Sequence, residues 1–147
     1  MQLNYFNRPY FENGAINKIS EVLSTHEIKI PLICSDPGLS LIGMTDKIKS
    51  LIPNDTSVSF YGETPANPTE KAVNDALELY KKNGCDGVVG FGGGSSMDLA
   101  KAVALMANHE GELINYSVNE GGYEKITETM PMIAIPTTAG TGSEVSV

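Results

Sequence analysis

Two spacings of apolar side chains take turns along the 147 residues. GAINKISEVLS, residues 14–24, sets Ile16, Ile19 and Leu23 three and four apart, the spacing of one helix face. IKIPLICS (28–35) is short, branched and strand-like. Helical spacing returns over 38–52 through Leu41, Met44, Ile48 and Leu51, and TSVSFYG (56–62) alternates as a strand does. The clearest helix is TEKAVNDALELYKKNG (69–84): Thr69 can cap it, Val73, Leu77 and Tyr80 line one face, and Gly84 ends it. GVVGF (87–91) reads as a short buried strand, 96–109 as a helix starting near Met97, and PMIAIP (131–136) as a strand closed by Pro136. The polar stretch 119–130 has no period and reads as a surface loop. Strand and helix alternating through short connections imply an α/β domain, a parallel sheet with helices on both faces.

Composition narrows the function. A formal charge of −8 disfavours a sequence-independent nucleic-acid binder, which needs a basic stripe. One anionic cofactor stays open, because backbone N–H groups hold phosphate without Lys or Arg. The start, MQLNYFNRPYF, lacks the basic and apolar regions of a signal peptide, and no apolar run reaches the ~20 residues of a membrane span. Cys34 and Cys85 lack CxxC spacing and read as reduced, buried thiols, which points to the cytoplasm. The chain ends in TGSEVSV, where a β-branched run is just beginning; a cut inside a longer protein explains that ending.

The chemistry is expected in the loops that leave the carboxyl ends of the strands. These are SDPG (35–38), GETPANPT (62–69), GGGSS (92–96) and PTTAGTGSE (136–144), all rich in small or hydroxyl residues. GGGSS fails the G-x-G-x-x-G pattern, since Ser95 stands where the third glycine belongs, and no G-x-x-x-x-G-K-[ST] is present. The physics does not need either pattern. Gly93 and Gly94 let an anion approach the backbone, Ser95 or Ser96 adds a hydroxyl, and the following helix points its free N–H groups at the same spot. Asp98 suits the first turn and can pair with Lys101 one turn on. In PTTAGTGSE, Thr137, Thr138, Thr141 and Ser143 surround Gly140 and Gly142, a set of hydroxyls suited to ribose and phosphate oxygens.

GFGGGSSMDLAK and AIPTTAGTGSE, with ETPANPT upstream, together resemble the iron-containing (group III) alcohol dehydrogenase family. The likeness runs from SDPGL to the end of the chain. Dehydroquinate synthase and glycerol dehydrogenase are similar in fold and in the GGGS loop, but a different loop is expected in them where this chain has PTTAGTGSE. The resemblance implies a Rossmann-like, dehydroquinate synthase-like N-terminal domain over 1–147, incomplete at its C-terminal end. A C-terminal helical domain, outside this chain, would supply most of a metal site of one Asp and three His. It also implies cofactor contacts: Gly93, Gly94 and Ser95 at the pyrophosphate, and Asn67 lining the same cleft. Thr137, Thr138 and Thr141 would face the adenosine half, Ser143 the nicotinamide side and Asp36 the adenine ribose.

The function so implied is hydride transfer between NAD and a small alcohol or aldehyde in the full-length enzyme, with NADP disfavoured by Asp36. A divalent metal such as Fe²⁺ or Zn²⁺ would belong to that full-length protein, and this chain would carry no catalytic residue and no metal ligand. His26 and His109 each close a helix, where an imidazole complements the dipole. The alternatives are a free-standing nucleotide-binding module and a relative of the dehydroquinate synthase or glycerol dehydrogenase type. No nucleic-acid or membrane partner is expected, and a homo-oligomer is left open.

Overall fold

The computed structural model describes residues 7–146. Four strands, β1 (Pro31–Cys34), β2 (Ser59–Tyr61), β3 (Gly87–Gly92) and β4 (Met132–Pro136), form one parallel sheet in the order β2-β1-β3-β4. Ile33 stands opposite Phe60 on one side and Val89 on the other, and Gly90 stands opposite Ala134.

Alternation along the strands sends side chains to two layers. Leu32, Cys34 and Val88 pack against α4 (Glu70–Lys82) and α5 (Gly94–Met106). Ile33, Val89 and Phe91 face the other way, against Ile19 and Leu23 of α1 (Ile19–Thr25) and Ile48 of α3 (Met44–Ser50). Both faces are therefore covered, which is why β3 is buried along its whole length. Each fully buried aliphatic or aromatic side chain contributes roughly 1.5–3 kcal/mol.

Local signals act as expected in α4. Thr69 Oγ1 accepts the Ala72 N–H at 3.2 Å, and Ala72, Val73, Ala76, Leu77 and Tyr80 are buried on one face. Elsewhere the structure corrects the reading. Residues 38–52 form two helices, α2 (Pro37–Leu41) and α3, parted at Gly43 with φ +76°. The left-handed residue interrupts the helical ladder, and Leu41 and Ile42 are exposed, so their spacing does not mark a buried face. A 3₁₀ turn, Ala15–Lys18, leads into α1. The surface connection 119–130 is shaped by 3₁₀ turns at Val118–Glu120 and Gly122–Lys125, which follow another at Leu113–Tyr116. Helix α5 begins at Gly94 rather than near Met97, because Gly93 takes the extended N-cap conformation.

The order of addition matters most for function. The chain passes from β1 outward to β2, then returns across β1 to add β3 and β4 on its far side. Loops following the neighbours β1 and β3 thus leave toward opposite faces and open a crevice at their carboxyl ends.

Candidate functional site

The crevice is built around the end of β3. Thr137 donates its N–H to the Gly92 carbonyl at 2.8 Å, which brings the threonine-rich loop beside the glycine loop. At Gly92 φ is +154°, and a Cβ there would lie 2.5 Å from Ser96 Oγ and 3.2 Å from Asp36 Oδ2. Only glycine allows so close an approach of the loops after β1 and β3. Met97 makes the first helical bond, to Gly93 O at 3.3 Å, so the N–H groups of Gly94, Ser95 and Ser96 have no partner inside the helix. Those groups and the positive end of the 13-residue α5 point into the crevice.

The resulting cleft has a volume of about 550 Å³ and is lined by residues 36–39, 64–66, 93, 95, 96, 137 and 138. Asp36 Oδ1 accepts the Leu39 N–H at 3.1 Å, capping α2, while Oδ2 lies toward Gly92. The loops after β1 and β2 are joined by Ser35 N–H to Tyr61 O at 2.8 Å and Thr64 N–H to Ser35 O at 3.1 Å. Thr64 and Ser35 are 2 % and 0 % exposed, and neither hydroxyl has a hydrogen-bond partner among the described residues. Buried hydroxyls are rarely left so, and Thr64 sits in the cleft wall.

Of the residues expected at the site, Asp36, Gly93, Ser95, Thr137 and Thr138 line the cleft. Ser95 Oγ donates to the Ala66 carbonyl, so its hydroxyl holds the 64–68 loop and its N–H is the group left for an anion. Asn67, carried on that loop, is exposed and does not line the cleft. Gly94, Thr141 and Ser143 form a layer behind the wall. A Cβ on Gly94 would lie 3.0 Å from Ser143 Oγ and 3.4 Å from Thr141 Cβ, so Gly94 makes room for the threonine loop. Ser143 is buried, and its N–H donates to Thr141 Oγ1 at 3.3 Å. Thr64 was not singled out from the sequence, although its position in GETPANPT was the available signal; Ser96 lines the cleft beside Ser95.

A second hollow, about 710 Å³, lies among Ser20, Leu23, Pro53, Asp55 and Asp86 near the amino end of the sheet. Two of its polar side chains are engaged within the fold: the Asp86 carboxylate accepts the N–H groups of Lys29 at 3.0 Å and Ile30 at 2.8 Å, and Ser20 Oγ donates to Leu51 O at 2.7 Å. Burial pushes the Cys34 thiol far above its ordinary range, with Cys85 adding, and burial raises Cys85 as well, so neither is a ready nucleophile. Tyr80, whose buried phenol is pushed up to about 12 chiefly by desolvation, lines neither hollow. His26 caps the end of α1. His109 donates from Nδ1 to Leu105 O at 2.7 Å and accepts the Thr127 N–H on Nε2 at 3.0 Å, tying the 119–130 stretch to the end of α5.

A family model described as iron-containing alcohol dehydrogenase matches residues 7–147. The chain belongs to that family. It is 41 % identical to 4-hydroxybutyrate dehydrogenase of Cupriavidus necator over 97 % of this chain and 37 % of the relative. It is 40 % identical to choline dehydrogenase of Bacillus subtilis over 90 % of this chain and 33 % of that protein. Among solved structures, sulfoacetaldehyde reductase of Bifidobacterium kashiwanohense in complex with NAD⁺ superposes with a TM-score of 0.78 at 28 % identity. The match covers 90 % of this chain and 35 % of that one. An iron-containing alcohol dehydrogenase of Thermotoga maritima gives 0.75 at 32 % identity, over 89 % and 36 %. The chain thus spans about a third of the length of the relatives it matches. The family's description implies iron, but among the described residues no three His, Cys, Asp or Glu side chains gather as a metal site. No helix among them is long and apolar enough to cross a membrane.

Proposed function

We propose that residues 1–147 are the dinucleotide-binding domain of a cytoplasmic, NAD-dependent alcohol dehydrogenase or aldehyde reductase acting on a small alcohol or aldehyde. The observation that carries this is the crevice between β1 and β3, where three helix N–H groups without a helical partner meet a wall containing an orphaned hydroxyl, Thr64 Oγ1. Gly93 and the N–H groups of Gly94, Ser95 and Ser96 fit a pyrophosphate. Asp36 fits a ribose with free hydroxyls, and Thr137 and Thr138 close the opposite wall. A bound nicotinamide dinucleotide supplies a two-electron hydride acceptor or donor. This chain's part is to bind and orient it. No described residue is placed as acid, base or metal ligand, so those functions are assigned to the portion of the relatives that this chain does not span.

Asp36 also sets the expected preference. A 2′-phosphate at ~4 Å from its carboxylate meets a repulsion of about 4 kcal/mol at an effective dielectric of ~20, and solvent at an open cleft reduces this. A third of that is roughly tenfold in affinity. Calorimetric titration of the chain should show saturable NAD⁺ binding and NADP⁺ binding about tenfold weaker. The chain alone, given Fe²⁺ or Zn²⁺ and a panel of small alcohols, should not reduce NAD⁺. Absence of binding to either dinucleotide, or turnover by the chain alone, would overturn the proposal.

A further inference from the structure

We infer that Asn13 is a site of spontaneous covalent modification, deamidating through its neighbour Gly14, whereas the fold protects the chain's second Asn-Gly pair, Asn83–Gly84. The sequence holds these two Asn-Gly pairs and no other. In such a pair no side chain on the second residue hinders its nitrogen as it approaches the asparagine amide carbon. At 13–14 the Gly14 nitrogen attacks Asn13 Cγ and closes a five-membered succinimide. The side-chain nitrogen leaves as ammonia, taking the proton that the Gly14 nitrogen gives up. Water then adds to one of the two ring carbonyls. Aspartate results when the new bond between nitrogen and Cγ breaks, and isoaspartate when the original peptide bond breaks. Nothing is oxidised or reduced: an amide and water become a carboxylic acid and ammonia.

The two pairs match in exposure and backbone, and differ in their hydrogen bonds. Asn13, Gly14, Asn83 and Gly84 are all exposed, and the glycines stand at φ +78° and +64°. At 83–84 the reacting groups are engaged. Gly84 donates its N–H to Lys81 O at 3.2 Å where α4 ends, and Asn83 Nδ2 donates to Ser59 Oγ beside it at 2.9 Å. At 13–14 the bonds pass around the pair. Ala15 N–H donates to Glu12 O at 3.2 Å and Asn17 N–H to Gly14 O at 2.9 Å. Neither the Gly14 N–H nor the Asn13 amide is engaged among the described residues. Ring closure at 83–84 must first break both bonds to the reacting groups, whereas at 13–14 it meets none. The product has consequences for the fold. It puts a new carboxylate beside Glu12, which already pairs with Lys18 at 3.3 Å. Isoaspartate also lengthens the main chain by a carbon just before the turn into α1, whose Ile19 and Leu23 are buried.

The test incubates the unaltered chain at mildly alkaline pH in water enriched in heavy oxygen, and follows its proteolytic fragments by mass spectrometry. The fragment holding Asn13 should lose ammonia and gain one heavy oxygen about tenfold faster than the fragment holding Asn83. That factor is what the hydrogen bonds broken at 83–84 impose. The same chain unfolded in urea is the reference, and there the two pairs should react at similar rates. Ser59→Ala frees the Asn83 amide and should quicken that site about fivefold, the scale of one lost hydrogen bond, while leaving Asn13 as it was. Asn13 reacting no faster than Asn83 in the folded chain would overturn the inference. So would an Asn13 that reacts in urea but not in the folded chain, because the fold would then shield it. Should Ser59→Ala not fold, the ratio between the two sites in folded and in unfolded chain decides the matter without it.

Discussion

The two ends of the sheet differ in a way that volume alone would misjudge. The larger hollow, about 710 Å³, lies at the amino end, and the smaller, about 550 Å³, at the carboxyl end. At the amino end Asp86, one of three acidic residues lining the hollow, is already used: it draws together the approach to β1 by accepting two successive backbone N–H groups. At the carboxyl end the protein leaves groups unmatched, namely the first N–H groups of α5 and the hydroxyls of Ser35 and Thr64. A buried donor or acceptor without a partner costs about 1–3 kcal/mol, so a fold that keeps several in one place is matched to something outside itself. What marks the carboxyl end is that its unmatched groups meet at one cleft, the Thr64 hydroxyl in the wall and the first N–H groups of α5 beside it, whereas the unpartnered phenol of Tyr80 lines neither hollow.

The contrast can be broken most forcefully at Gly92. Gly92→Ala puts a methyl 2.5 Å from Ser96 Oγ and 3.2 Å from Asp36 Oδ2 at φ +154°, displacing the first turn of α5 and crowding the loop after β1. It should destabilise the chain by about 2 kcal/mol and weaken NAD⁺ binding more than ~10-fold, read by urea unfolding and calorimetry. Asp86→Ala sharpens the comparison from the opposite end. It leaves two N–H groups without their acceptor and should cost about 1–2 kcal/mol of stability, with NAD⁺ affinity unchanged. If Asp86→Ala also lost affinity, the two ends would not be separable in the way described here. The smallest effect is expected from Thr64→Val, which replaces the orphaned hydroxyl by a methyl of the same shape. Removing an unsatisfied buried polar atom should raise the stability of the unliganded chain by up to ~1 kcal/mol and weaken NAD⁺ binding about threefold. Loss of stability on Thr64→Val, with binding intact, would place that hydroxyl among the structural groups.

Much of this architecture was legible in the sequence because it depends on neighbours along the chain. Apolar spacing three and four apart marked α4 and its buried face, Thr69 and Gly84 marked its ends, and alternation with strands marked the parallel sheet. The four loops that could bear chemistry were found the same way, as clusters of Gly, Ser and Thr following strands. Helix breaks were less legible. Spacing through Leu41, Met44 and Ile48 could not show that Gly43 turns left-handed and leaves Leu41 and Ile42 in solvent.

The local pattern by itself determined that α5 begins at a glycine-rich loop, that its first turns carry Asp98 and Lys101, and that hydroxyls crowd residues 137–143. Which of those groups face a ligand was decided only by tertiary structure. Strand order placed the loops after β1 and β3 side by side, and the approach at Gly92 brought Asp36 and Ser96 together. The fold then turned Ser95 Oγ toward Ala66 and Ser143 Oγ toward Asp98, while Thr64 kept a hydroxyl without a partner. The physical reason is range. Strand and helix periodicity is a property of residues two to four apart, whereas a hydrogen bond spanning 45 residues exists only once the sheet has set its two ends within reach.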